Sequence, residues 1–181
     1  MGTARSYAAG SVANMVRSLL VLGALVALLI AIVPRVNTVT QPPVDVSAAS
    51  VEVAKESGWA ISRPVALPEG WKATSVRYVR STDSLMTWHA GYQSPTGNYV
   101  AIEQTKGATR GWVEAQTNRA RRVGELQAAG LTWETYERTP KVQRSLLARA
   151  ADADDLTTLI TGTGTFEELV AFAETLEPVQ P

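Results

Sequence analysis

The chain contains one imidazole, His89, and no cysteine. Thiolate catalysis, disulfides and cysteine-ligated zinc are thereby excluded, and so are multi-histidine metal sites. Any serine-hydrolase arrangement would need His89 as its base. Met86, Trp88, Ala90 and Tyr92 alternate with Thr87, His89 and Gly91, so His89 belongs to the strand face opposite Trp88. No Gly-x-Ser-x-Gly elbow accompanies it. The expectation is a solvent-facing strand histidine with no part in catalysis.

Asp152, Asp154 and Asp155 suggest a cation site. A calcium loop needs Gly at its sixth position and Glu at its twelfth. Counted from Asp152, those positions hold Thr157 and Thr163, so the cluster is expected to be a polar turn between strands. Gly162-Thr163-Gly164-Thr165 stands between a strand and a helix, where phosphate loops occur. It lacks the P-loop lysine, and Glu167 and Glu168 occupy the positive end of the helix dipole, where they would repel phosphate. A structural turn is expected. Glu103, Glu134, Glu137 and Asp83 could supply paired carboxylates for glycoside chemistry, which depends on a spacing that sequence does not fix. Arg119, Arg121 and Arg122 form a small basic cluster, read as a solvated loop. No cofactor, metal or catalytic residue is assigned.

The elements that must position these residues begin with the N-terminus. Leu19 to Val33 is an apolar run without a charge, preceded by Arg17 and followed by Pro34 and Arg35. A spanning helix wants about 20 apolar residues. Val12, Ala13, Met15 and Val16 extend the run backwards, and the flanking arginines can snorkel. A cleaved signal peptide is the rival reading, but Ile32, Val33, Pro34, Arg35 and Val36 offer no small-residue cleavage site. Arg5, Arg17 and the α-amino group outnumber Arg35, which places the N-terminus in the cytoplasm. Gly23, Ala27 and Ala31 recur every fourth residue and form a candidate helix-pairing face. The expected organisation is a cytoplasmic tail (1–17), a transmembrane helix (18–34), a Pro-containing stalk (35–50) and an extracytoplasmic domain (51–181).

Within that domain Ser47 is expected to cap a short helix ending at Gly58. Strands are expected over 74–80, 85–92, 99–105, 131–138, 143–150 and 156–161, with a weak helix over 112–120. Thr165 and Glu168 match a capping box, and Phe166, Leu169, Val170, Ala173 and Leu176 then share a helix face stopped by Pro178. The fold class is α+β. A two-layer domain is expected, with an antiparallel sheet of about five to seven strands and helices packed on one face.

Leu67-Pro68-Glu69-Gly70-Trp71, Gly111-Trp112, Trp133, and Thr161-Gly162-Thr163 leading to Glu167-Glu168-Leu169 carry a resemblance. In that order, behind an Ala-rich apolar segment and a Pro-containing stalk, they resemble the actinobacterial membrane-anchored family called domain of unknown function 4245. The likeness runs from Arg17 to Leu176. The turn, sheet and Glu-Glu-Leu helix are more distantly similar to extracytoplasmic sensor-like domains of bacterial anti-sigma regulators. The resemblance implies a fold and a location, and no activity.

Equal numbers of acidic and basic residues, 17 each, argue against a nucleic-acid partner. The expected partners are the lipid bilayer and an envelope protein, or a second copy through the membrane helix. The functional expectation is a non-catalytic binding, sensing or assembly module of the cell envelope. The alternative is an envelope hydrolase with an Asp/Glu carboxylate pair, which would show a cleft holding two carboxyls of raised pKa.

Overall fold

The computed structural model describes residues 4–32 and 44–181. They fall into two units, Met1–Gln41 and Pro42–Pro181, each described by itself. The first contains α1 (Ala4–Ile32), 29 residues long, so the segment expected as a short tail is mostly helical. Its large apolar side chains from Leu19 to Ile30 are exposed. Among the described residues no helix is long and apolar enough to cross a membrane, so the span expected over 18–34 is not found there. Val33, Pro34 and the Pro42-Pro43 stalk lie outside the described residues.

The second unit opens with α2 (Val46–Ser57), whose cap is Asp45: its carboxylate accepts the Ala48 N–H at 2.9 Å. The helix thus starts ahead of the expected Ser47 cap and takes in the last residues read as stalk. It ends at Gly58, whose φ of +67° is the left-handed geometry that glycine adopts without strain. The strands follow as β1 (Ser62–Pro64), β2 (Lys72–Arg80), β3 (Met86–Gln93) and β4 (Tyr99–Lys106). After α3 (Arg110–Gln116) come β5 (Arg121–Ala128), β6 (Leu131–Arg138), β7 (Gln143–Ala148) and β8 (Leu156–Gly162). Then α4 (Phe166–Ala173) and β9 (Leu176–Pro178) close the chain.

Seven strands form one antiparallel sheet in the order β2-β3-β4-β8-β7-β6-β5, and β1 pairs with β9 separately. The α+β architecture and the sheet are as expected. Three strands are additional. β5 contains Arg121 and Arg122, so these are edge-strand residues rather than a loop. Leu176 belongs to β9, paired across from Pro64, and not to the last helix.

The sheet separates two cores, because successive side chains point to opposite faces. One face carries Trp88, Ala90, Tyr92, Val100, Ile102, Leu146 and Ile160, packed with Val53 and Ala54 of α2 and Leu169 and Phe172 of α4. Phe172 lies with its ring centroid 5.3 Å from Tyr92 and 5.7 Å from Trp71. The other face carries a smaller core in which Trp112 and Val113 of α3 meet Leu147 and Leu159. The expectation of helices on one face is therefore corrected: α3 lies across the face opposite α2 and α4. Trp112 requires this, since its indole is fully buried and donates to Thr87 Oγ1 at 3.0 Å.

Candidate functional site

Strand register assembles the site. Arg77 pairs with His89, and His89 with Glu103, so three strands bring three ionisable side chains into one row. This row continues into Leu159 and Leu147 under α3. His89 is 3% exposed and Glu103 6%, which corrects the expectation of a solvent-facing histidine. Alternation correctly assigned His89 to the face opposite Trp88, but that face is covered.

A buried imidazole needs partners for both nitrogens. His89 Nδ1 lies 2.6 Å from Glu103 Oε1. A carboxylate only accepts, so Nδ1 donates. That leaves Nε2 as the acceptor in the neutral ring, 2.9 Å from Ser75 Oγ and 3.3 Å from the Tyr99 hydroxyl. Ser75 stands two residues before Arg77 on β2, opposite Gly91, immediately after a bulge between Ala73 and Ser75. Gly91 is there for space: a Cβ would come within 2.5 Å of Ser75 Oγ and 2.6 Å of the Tyr99 hydroxyl. Burial raises the pKa of Tyr99, the bond with Ser75 opposes this, Glu103 adds to it and Arg77 opposes it. The phenol therefore stays protonated and can donate.

Above this row lies a cavity of about 370 Å³, whose walls include Arg77, His89, Tyr99, Glu103, Gln116 and Gln143. The far wall is fixed by hydrogen bonds. Gln143 Nε2 donates to Thr161 Oγ1 at 2.8 Å and to the Gln116 carbonyl at 3.2 Å, and Asn118 Nδ2 donates to Gln143 Oε1 at 2.5 Å. Arg77 is different. It makes no ion pair among the described residues, and its Nη2, 3.5 Å from His89 Nδ1, faces a nitrogen whose hydrogen is already given to Glu103. Its guanidinium is available to a ligand.

The carboxylates considered for paired acid–base work are engaged separately. Glu103 holds His89. Glu137 accepts from Arg144 at 3.0 Å. Asp83 accepts from Thr109, the cap of α3. Glu134 faces Glu125 across β5 and β6, which sets two carboxylates in register. Arg122 bridges the two, and Arg149 grips Glu134 at 2.7 and 3.1 Å. Hydrogen bonding from Arg149 outweighs burial and holds the Glu134 carboxyl below its ordinary value, the opposite of what a general acid needs.

Asp152 and Asp155 close the turn between β7 and β8 through Asp155 N–H to Asp152 O at 3.1 Å. No group of acidic or histidine side chains able to hold a metal occurs among the described residues. The Gly162–Thr165 segment is a structural turn. Gly162 is pressed so close to Tyr99 that a Cβ would lie 2.2 Å from its carbonyl oxygen. Thr165 caps α4, accepting the Glu168 N–H at 3.3 Å. Burial works against charge on Glu168, but hydrogen bonds from Ser94, Asn98, Thr96 and the Thr165 backbone prevail, and its carboxyl sits below its ordinary value. Gly23 and Ala27 lie on α1, with open space where a Gly23 Cβ would be; the side chain of Ala31 lies outside the described residues.

Ser75, Arg77 and Tyr99 were not singled out by sequence. Gly91 was the available signal, since glycine inside a strand marks a close approach.

A family model described as "Protein of unknown function (DUF4245)" matches residues 8–176. No curated protein matches the chain.

Proposed function

The chain belongs to the DUF4245 family, and from that premise and the geometry above we propose a single-pass membrane protein whose outer domain binds a ligand or envelope partner. In this reading residues 1–17 face the cytoplasm, α1 anchors the chain in the bilayer, and the domain lies outside the cell. The anchor reading rests on one observation: large apolar side chains of α1, from Leu19 to Ile30, are exposed all round the helix. Such a helix needs apolar surroundings. The uncharged stretch alone is short, so this reading requires flanking side chains such as Arg17 to snorkel to the headgroups. Gly23, Ala27 and Ala31 would be the face on which two anchors meet.

The domain's role is read as binding, sensing or assembly through the polar cavity beside His89. That cavity offers a phenol and the Arg77 guanidinium, which makes no ion pair among the described residues; both suit a small polar ligand. The test is topology in cells. A reporter active only outside the cytoplasm, fused at Pro181, should be active, and the full chain should stay in the membrane fraction through alkaline carbonate. A chain released into low-salt extract with its first forty residues intact would overturn the anchor.

A further inference from the structure

We propose that Ser75, His89 and Glu103 form a nucleophilic relay, and that the cavity lined by His89, Glu103 and Tyr99, which Ser75 adjoins through its contact with His89 Nε2 rather than lines, takes small acyl esters whose acyl group Ser75 accepts. This goes beyond a purely binding domain and rests on the reading that the cavity holds a ligand. Three side chains are joined in series: Glu103 Oε1 to His89 Nδ1 at 2.6 Å, and His89 Nε2 to Ser75 Oγ at 2.9 Å. Carboxylate, imidazole and hydroxyl in that order are what an activated serine requires, whatever the fold or chain order. The carboxylate fixes the ring with its proton on Nδ1, so Nε2 carries the one lone pair, and the shorter contact gives it to the Ser75 hydroxyl at 2.9 Å rather than to Tyr99 at 3.3 Å.

Burial is graded in the same direction. His89 and Glu103 are buried, whereas Ser75, on edge strand β2, is half-buried. The bulge before Ser75 is a device that re-aims a side chain. Gly91 keeps the spot above the strand clear, so that Ser75 Oγ and the Tyr99 hydroxyl converge there. A histidine that merely filled a core would need one partner on each nitrogen. This one has a second hydroxyl at 3.3 Å and, beside it, a guanidinium that makes no ion pair among the described residues. Tyr99 and Arg77 are the donors available to an oxyanion.

The chemistry balances without a metal or redox partner. Ser75 Oγ attacks the ester carbonyl carbon while its proton passes to His89 Nε2, and Glu103 holds the imidazolium through Nδ1–H. Collapse of the tetrahedral species breaks the ester C–O bond. The leaving alcohol takes the proton from Nε2, and acyl-Ser75 remains. Water then attacks, with His89 as base, releasing the carboxylic acid and restoring the serine hydroxyl. The sum is ester plus water to acid plus alcohol.

The full chain in detergent micelles is treated with a fluorophosphonate probe, and separately with p-nitrophenyl acetate. Tandem mass spectrometry should place the label on Ser75, and Ser75→Ala should abolish it. His89→Gln should slow labelling at least ~100-fold, the usual worth of a positioned general base. Glu103→Gln should slow it less while leaving the label on Ser75. Near-ultraviolet circular dichroism and melting confirm that each variant is folded. A folded wild type unlabelled at Ser75, or a folded His89→Gln labelled at the wild-type rate, overturns the relay. Phenyl acetate separates the two readings. Shifts of the His89 ring resonances without labelling leave a binding cavity and no relay; neither shifts nor label removes the ligand site as well.

Discussion

The two faces of the main sheet come from the same strands, one residue out of step. On the α2/α4 side, Val76, Ala90, Ile102, Ile160 and Leu146 lie in consecutive pairs across five strands, almost wholly apolar. On the α3 side the neighbouring row reads Arg77, His89, Glu103, Leu159 and Leu147. The first face is covered by two helices and carries most of the large buried side chains. The second is covered by a helix of 7 residues, which leaves the β2–β4 end to polar groups and a cavity. A strand side chain cannot serve both faces. Stability is therefore concentrated on one face, and the other can afford ionisable residues held by hydrogen bonds.

Ile102 and Glu103 are adjacent in sequence and point to opposite faces, so they test this division most sharply. Ile102→Ala should cost about 2–5 kcal/mol in denaturant unfolding, since the side chain is fully buried. Glu103→Gln removes a charged partner but keeps the volume, and should cost about 1–3 kcal/mol. Equal losses would show that both faces hold the fold together alike.

Gly91→Ala adds one methyl to the polar face, where it meets Ser75 and Tyr99. Melting should fall by an amount corresponding to about 1–3 kcal/mol, with much larger changes in the His89 ring resonances than at Trp88. Equal disturbance on both faces would contradict the separation.

Thr165→Ala removes the cap of α4 on the apolar side and should cost about 1 kcal/mol in the same unfolding experiment. A loss several times larger would mean that α4 is anchored through its end rather than its Leu169–Phe172 face.

Smallest is the response to acid. Glu134 and Glu168 have folded-state pKa values below their ordinary value of 4.5, so the folded state binds fewer protons than the unfolded chain as pH falls. Their contribution is present in full above about pH 4.5 and is lost as pH drops through the lowered values. Arg149→Ala should flatten that acid slope and cost no more than about 1 kcal/mol at neutral pH, because the pair is partly exposed. An unchanged slope would remove Glu134 from the account.

Much of the fold was legible in the chain. β3 and β4 alternate, and Thr165 with Glu168 marks the start of α4. β5 was not legible. Its residues Arg121–Ala128 are mostly exposed and alternate only at Leu126 and Ala128, too short a run to mark a strand before pairing with β6 makes one. β1 and β9 are 3 residues each, too short for any period to show. His89 was assigned to the correct face and the wrong environment. Alternation reports which side a residue takes, and says nothing of what later covers that side.

By itself the sequence determined the apolar N-terminal helix, the alternating strands, the caps and the scarcity of reactive side chains. These follow from residue type and from periods of about 2 and about 3.6, which act within a few neighbours. Only the tertiary structure decided that α3 crosses the second face, and that Ser75, His89 and Glu103 meet. Their contact depends on the register between β2, β3 and β4, and register is settled by how the whole sheet buries its apolar face.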